Sequence, residues 1–204
     1  MLIDRTSEPL MQLLVDSTRR AGTAGPALAQ AHRAVGRALA SDIARALTIE
    51  PVEIDHVAGK SQGVRLQPGL EPIIIAILRA GLFLAEGIWD SIPGSVLVLH
   101  RNAGDSDHLP AAGHPVVLVD SVINTGASMM SLIHDVTKLR PARVLVAVLV
   151  GYRPALEGLS GALPNVDFVV GRVSDRTYVG QGPTDTGARL FGTTSWATEK
   201  KRSA

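Results

Sequence analysis

Val116-Val117-Leu118-Val119-Asp120-Ser121-Val122-Ile123-Asn124-Thr125-Gly126-Ala127-Ser128 passes from an aliphatic run through a polar turn into an amphipathic stretch. The aliphatic run is continuous, as expected of a strand covered on both faces. Beyond Ser128, Met129, Leu132, Ile133, Val136 and Leu139 recur at helical spacing until Pro141 stops them. The reading is strand, loop and helix over 127–140. Such junctions are where open α/β sheets bind ligands. Unpaired amides and the positive dipole end at the start of the helix suit a phosphate, and Gly126 lets the backbone come close to it. Thr125 and Ser128 add hydroxyl donors. Asp120 suits a different role, because its carboxylate would repel a phosphate beside it but one ribose away accepts hydrogen bonds from sugar hydroxyls. The stretch from Asp120 to Ser128 therefore reads as a sugar-phosphate holder, although an Asp and a Thr-Gly turn that merely cap a helix explain the same residues.

Working outward, four further apolar runs have strand character: Pro72 to Leu78, Ser95 to Leu99, Arg143 to Val150 and Val166 to Val170. Helical stretches fall between them at Leu82 to Asp90 and Pro154 to Leu163. Before them, a loop at Gly22 to Pro26 leads into Leu28, Ala31, Val35, Leu39, Ile43 and Leu47 at helical spacing. Alternation of this kind predicts an α/β fold with a doubly wound parallel sheet. Arg79 follows the first of these strands and Arg101 the second, on the edge that carries Asp120. Two guanidinium groups there suit a diphosphate, each making a two-pronged contact, while either alone is an ordinary surface ion-pair partner.

Lys and Arg number 20 against 19 Asp and Glu, so no surface is built mainly to neutralise nucleic-acid phosphates or an anionic membrane. The longest apolar run, Val144 to Val150, is far short of a bilayer span. Without cysteine there is no disulfide frame and no thiolate nucleophile, which fits a cytoplasmic protein. The loop has neither the G-x-G-x-x-G pattern nor the lysine spacing of a nucleoside triphosphatase. One domain is expected over 1–197, with a disordered tail over 198–204 that includes the basic Lys200, Lys201 and Arg202. His108 and His114, with Asp105 and Asp107, read as loop residues and are assigned no metal. Trp89 and Trp196 read as packing anchors.

Three blocks carry a resemblance to the uracil phosphoribosyltransferase family: Ile77-Leu78-Arg79-Ala80-Gly81-Leu82, then Val117 to Ser128, then the stretch from Tyr178 through Asp185 to Phe191-Gly192-Thr193. The likeness extends from about Pro9 to Thr193. It implies a type I phosphoribosyltransferase fold with a five-stranded parallel core, a C-terminal hood segment and a homodimer. It also implies transfer of ribose 5-phosphate from 5-phosphoribosyl-1-diphosphate to uracil or a related heterocyclic base, releasing diphosphate, with magnesium as companion. By position, Arg79, Arg101 and Asp185 would be catalytic. Phosphoribosyl diphosphate would be bound by Arg79, Arg101, Asp120, Ser121, Asn124, Thr125, Gly126, Ala127, Ser128 and Asp185. The base would lie against Val179, Thr184, Asp185 and Thr186. The family's Pro-Gly-Leu-Gly-Asp-Ala-Gly-Asp is replaced here by Gln181-Gly182-Pro183-Thr184-Asp185-Thr186-Gly187-Ala188, so a base other than uracil is expected. The alternative to an enzyme is a regulator that binds phosphoribosyl diphosphate or a nucleotide without turning it over.

Overall fold

A computed structural model describes residues 1–101, 105 and 108–193. The tail, Trp196 and Asp107 lie outside the described residues. In chain order the elements are β1 (Leu2–Asp4), α1 (Pro9–Arg19), α2 (Gly25–Ala44), β2 (Ile49–His56), β3 (Gly59–Leu66), β4 (Ile73–Ile77), α3 (Leu82–Ser91), β5 (Val96–His100) and β6 (Pro115–Ile123). Then come α4 (Ala127–Lys138), β7 (Arg143–Tyr152), α5 (Arg153–Ala162), β8 (Val166–Ser174), a 3-10 turn (Gly182–Thr184) and α6 (Thr186–Leu190).

The aliphatic runs form a parallel sheet in the order β1-β8-β7-β6-β4-β5. Side chains alternate across it. Ile74, Ala76, Val117, Val119, Leu145 and Ala147 face α1, α2 and α3, while Ile75, Leu118, Val146, Val148, Phe168 and Val170 face α4 and α5. Two apolar cores result, one on each face, which is why the strands lack polar alternation. From β4 the chain adds a strand outward to β5; from β6 it adds β7 and β8 in the other direction. The gap between the carboxyl ends of β4 and β6 is therefore the topological switch point, where doubly wound folds place their ligands.

The expected five-stranded core gains a sixth strand, because β1 pairs in parallel with β8 from Leu2↔Phe168 to Asp4↔Val170. The β2–β3 hairpin, antiparallel from Ile49↔Leu66 to His56↔Gly59, stands as a separate two-stranded sheet. β6 also runs four residues further than expected, so Asp120 lies within the strand and the loop proper begins at Asn124. Trp89 is not a buried anchor: it is 46% exposed, with its indole N–H donating to the Ser95 carbonyl at 3.0 Å. Among the described residues, no helix is long and apolar enough to cross a membrane.

α2 and α3 cross at glycine on both sides. A Cβ at Gly87 would meet the Arg33 carbonyl oxygen and lie 2.8 Å from the Arg33 Cα, and one at Gly36 would strike the Leu84 carbonyl. These obstacles are backbone, so only a shift of the helices relieves them. Gly87→Ala is expected to destabilise the protein by about 1–3 kcal/mol, read as a drop in Tm of roughly 2–4 °C per kcal/mol. An unchanged melting curve would show that the two helices slide apart freely.

Candidate active site

The loop between β6 and α4 is built to expose backbone donors. Gly126 is the residue before α4, with φ 78°, and no side chain caps the helix start. A Cβ there would come 2.9 Å from Leu159 Cδ1, so both conformation and space call for glycine. The first intrahelical bond runs from the Met130 N–H to the Gly126 carbonyl at 2.8 Å, which leaves the Ser128 and Met129 amides ahead of it. Thr125, Ala127 and Ser128 are exposed. The Ala127 N–H reaches Thr125 Oγ1 at 3.4 Å. This is an anion cradle open to solvent.

Asp120 lies beneath that cradle. Burial pushes its carboxyl up to about 7, against the lowering effect of the Ser121 and Val122 backbone N–H groups; the first donates to Oδ1 at 2.7 Å. Near neutral pH it is poised between a neutral acid and a carboxylate that accepts two hydrogen bonds.

Ser121, expected to touch phosphoribosyl diphosphate, is instead 1% exposed and directed at His32. The His32 ring Nδ1 lies 2.9 Å from the Leu28 carbonyl and Nε2 lies 3.2 Å from Ser121 Oγ. A carbonyl only accepts, so Nδ1 carries the proton and the Nε2 lone pair accepts from the Ser121 hydroxyl. Burial, followed by the nearby Arg189 charge against the Leu28 bond, holds His32 down at about 4, so it is neutral at physiological pH. The signal for it is present in the sequence: a histidine inside the apolar stripe Leu28, Val35 and Leu39 is a buried polar group in need of a partner.

Arg79 follows β4, with its Nη2 3.5 Å from Asp185 Oδ1; both side chains are largely exposed, at 55% and 41%. Asp185 begins α6, and its Oδ1 accepts from the Ala188 N–H at 2.6 Å. Arg101 follows β5, is exposed, and its backbone N–H donates to Asp105 Oδ2 at 2.7 Å. Asn124 does not offer its amide to a ligand: Nδ2 donates to the Tyr178 carbonyl at 2.6 Å and Oδ1 accepts from the Tyr178 N–H at 2.9 Å. That pair ties the phosphate loop to the C-terminal segment. α6 is anchored from the other side, by Leu190 with Leu28 and Ala29, and by the Phe191 ring 5.3 Å from Phe83. The segment thus forms the expected hood over the carboxyl edge of the sheet.

Beneath the hood is a cavity of about 730 Å³, bounded by the end of α1, His32 on α2, Ser121, Val122 and Val150 on the strands, and Tyr178, Thr184 and Thr186 on the hood. Of the expected base contacts, Thr184 and Thr186 line it; Asp185 and the 69%-exposed Val179 do not. The Thr184 hydroxyl is already committed, donating to the Gln181 carbonyl at 3.1 Å and accepting from its N–H at 3.0 Å. His114 is likewise engaged, its Nδ1 2.9 Å from the Glu71 carbonyl, and His108 is exposed.

Comparison with solved structures finds the same architecture. The AQ2163 protein from Aquifex aeolicus superposes with a TM-score of 0.78 over 94% of this chain and 98% of its own, at 23% identity. A hypoxanthine-guanine phosphoribosyltransferase from Bacillus anthracis superposes with a TM-score of 0.51 over 78% of this chain and 86% of its own, at 14% identity. The fold is that of type I phosphoribosyltransferases. In sequence, uracil phosphoribosyltransferases from Staphylococcus carnosus and Staphylococcus aureus are 28% and 26% identical over 200 residues, covering 91% of this chain and 95% of each relative. The family model described as uracil phosphoribosyltransferase matches residues 5–193. With its cradle, switch-point acid and hood in place, the chain belongs to the uracil phosphoribosyltransferase family.

Proposed function

We propose that this protein transfers ribose 5-phosphate from 5-phosphoribosyl-1-diphosphate to a ring nitrogen of a nucleobase, releasing diphosphate. The carrying observation is that β4 and β6 pair side by side at the switch point, so that Arg79 just past β4, Asp120 on β6 and the uncapped start of α4 lie at neighbouring carboxyl ends. In the reaction the bond from ribose C1 to the diphosphate oxygen breaks, a bond from C1 to the base nitrogen forms, and the base gives up its N–H proton. Positive charge builds on the ribose and negative charge on the leaving group. Fixed charges aimed at that separation supply the catalysis, and no side-chain nucleophile is needed. The amides of the cradle hold the 5-phosphate, ionised Asp120 the ribose hydroxyls, and Arg79 and Arg101 the diphosphate.

Magnesium fits this donor set. The described residues contain no cluster able to cage a metal, but Mg²⁺ in such sites usually takes one or two carboxylates and completes its shell from substrate phosphates and water. Asp185, beside Arg79, is the carboxylate placed for that, and the ion would offset charge on the departing diphosphate. The lack of cysteine agrees with a cytoplasmic setting. The β2–β3 hairpin, with exposed Ile49, Ile54 and Val64, offers an apolar arm to a second copy in a homodimer.

The acceptor is proposed to be a base other than uracil, because the hood segment that meets it departs from the uracil pattern while the cradle keeps its form. Diphosphate release with magnesium, phosphoribosyl diphosphate and a panel of pyrimidines and azoles tests both statements. We expect release with some base, and kcat/KM for uracil below that for another ring. Release with no base removes the transferase reading and leaves a sensor of phosphoribosyl diphosphate. Uracil at about 10⁴ M⁻¹s⁻¹ or more, with the rest far slower, removes only the altered preference.

A further inference from the structure

The cavity beneath the hood carries more positive charge than the donor substrate accounts for. Arg19, Arg172, Arg176 and Arg189 line it, against a single carboxylate, Asp175. That carboxylate is turned to Arg153, whose Nε donates to Oδ1 at 2.6 Å. Arg19 is paired with Asp16 at 2.7 Å, and Arg189 donates to the Arg20 and Thr23 carbonyls at 3.0 and 2.8 Å. The Arg172 guanidinium, half-buried on β8, has neither a hydrogen-bond nor an ion-pair partner among the described residues. Of the residues assigned to phosphoribosyl diphosphate, Ser121 alone lines this cavity, with its hydroxyl given to His32; the cradle, Arg79 and Arg101 all lie outside it. A half-buried cation kept from its neighbours' carboxylates calls for an anion from outside.

The sheet register gives that anion a place on the acceptor. Val122, Val150 and Arg172 lie in one row across β6, β7 and β8, and all three line the cavity. With strands about 4.8 Å apart, the row spans roughly 10 Å from the backbone of Val122, two residues past Asp120, to that of Arg172. A flat ring resting on the two valines reaches Arg172 with a short acidic substituent. The volume, about 730 Å³, also exceeds what a bare six-membered ring fills.

We propose that Arg172 makes this cavity an acceptor site for a heterocycle bearing a carboxylate, which the guanidinium grips with two parallel bonds. The inference rests on the transferase reading above and narrows its acceptor to an anionic class.

The test uses matched pairs differing by one carboxylate: uracil with 5-carboxyuracil and 6-carboxyuracil, imidazole with imidazole-4-carboxylate, and nicotinamide with nicotinate. Diphosphate release is measured for each with the full chain, with Arg172→Gln and with Arg172→Lys. In at least one pair the carboxylated member should be favoured, and Arg172→Gln should cut that preference by about 10- to 100-fold, with partial recovery in Arg172→Lys. Circular dichroism and melting curves establish that the variants fold; Arg172→Lys keeps the test open where Arg172→Gln does not. Preference for the uncharged member in every pair, or a preference that Arg172→Gln leaves intact, overturns the proposal. Should no base be ribosylated while phosphoribosyl diphosphate still binds, the transferase reading fails on its own. Calorimetric titration of the same pairs then decides: tighter binding of a carboxylate that Arg172→Gln abolishes supports the site, and equal binding within every pair refutes it.

Discussion

Replacing Arg79 or Arg101 by alanine is expected to lower kcat by about 10²- to 10³-fold, the effect of removing a fixed charge aimed at a group whose charge grows in the transition state. Binding of phosphoribosyl diphosphate should weaken less than turnover, since the ground-state diphosphate is already charged but becomes more so as it departs. Folding should hardly change. The Arg79–Asp185 pair is long, at 3.5 Å, and exposed, and Arg101 is exposed beyond β5; pairs of that kind contribute about 0–1 kcal/mol. The same weakness leaves Arg79 free to exchange Asp185 for the diphosphate. Steady-state kinetics and a melting curve on each variant check this. A variant with full kcat, or one whose loss of activity follows its loss of folded protein, would make that arginine structural.

Asp120→Asn is expected to move affinity and stability in opposite directions. The folded carboxyl is held up at about 7, from an ordinary value of 3.8. Between those values the folded carboxyl holds a proton that the unfolded chain has released, so its contribution to stability falls as pH rises through that window, against the opposite contribution of His32 below about 6.5. Above about 7 the buried charge carries its full desolvation penalty. Asparagine carries none, so at pH 8 the ligand-free variant should be more stable than the parent by on the order of a few kcal/mol, and its stability should rise with pH between about 4 and 6.5, where buried His32 stays neutral while the unfolded imidazole is protonated. Phosphoribosyl diphosphate should bind the variant about 10- to 100-fold more weakly at pH 8, because a carboxylate accepting two hydroxyls is replaced by an amide with one acceptor oxygen. In the parent, affinity should climb as pH passes through about 7, and in the variant much of that climb should vanish. Calorimetry and melting at pH 6, 7 and 8 read all three. Equal affinities in well-folded protein would remove Asp120 from the site, and a variant no more stable at pH 8 would show that its charge is solvated.

The central sheet is legible in the sequence because β4, β6, β7 and β8 are buried on both faces and announce themselves as aliphatic runs without reference to any partner. The places of Arg79, just beyond β4, and of Asp120, within β6, follow from those strands, and Arg101 follows from the half-exposed β5. The hairpin is harder to read because its strands are mostly exposed: Val52 and Ile54 alternate with Glu53 and Asp55, but these positions face no core, and the hairpin meets the body of the molecule at Leu66. β1 is three residues long and owes its conformation to β8. The His32–Ser121 bond joins residues 89 apart and the Asn124–Tyr178 pair residues 54 apart, contacts that only the completed fold creates. For that reason Ser121 and Asn124 can be placed in their neighbourhood from the sequence, but not with the partners their side chains take.

The two bonds from Asn124 end on the main chain of Tyr178, not on its side chain. Any residue with an N–H satisfies them, so of the twenty only proline is barred from position 178. The join between the half of the molecule that holds the sugar phosphate and the half that covers the incoming ring is thus blind to the covering segment's sequence. Side chains from Tyr178 onward, Asp185 apart, can change over evolutionary time without undoing these two bonds. A lineage with such a joint can exchange one acceptor for another by point mutation while its donor half stands still.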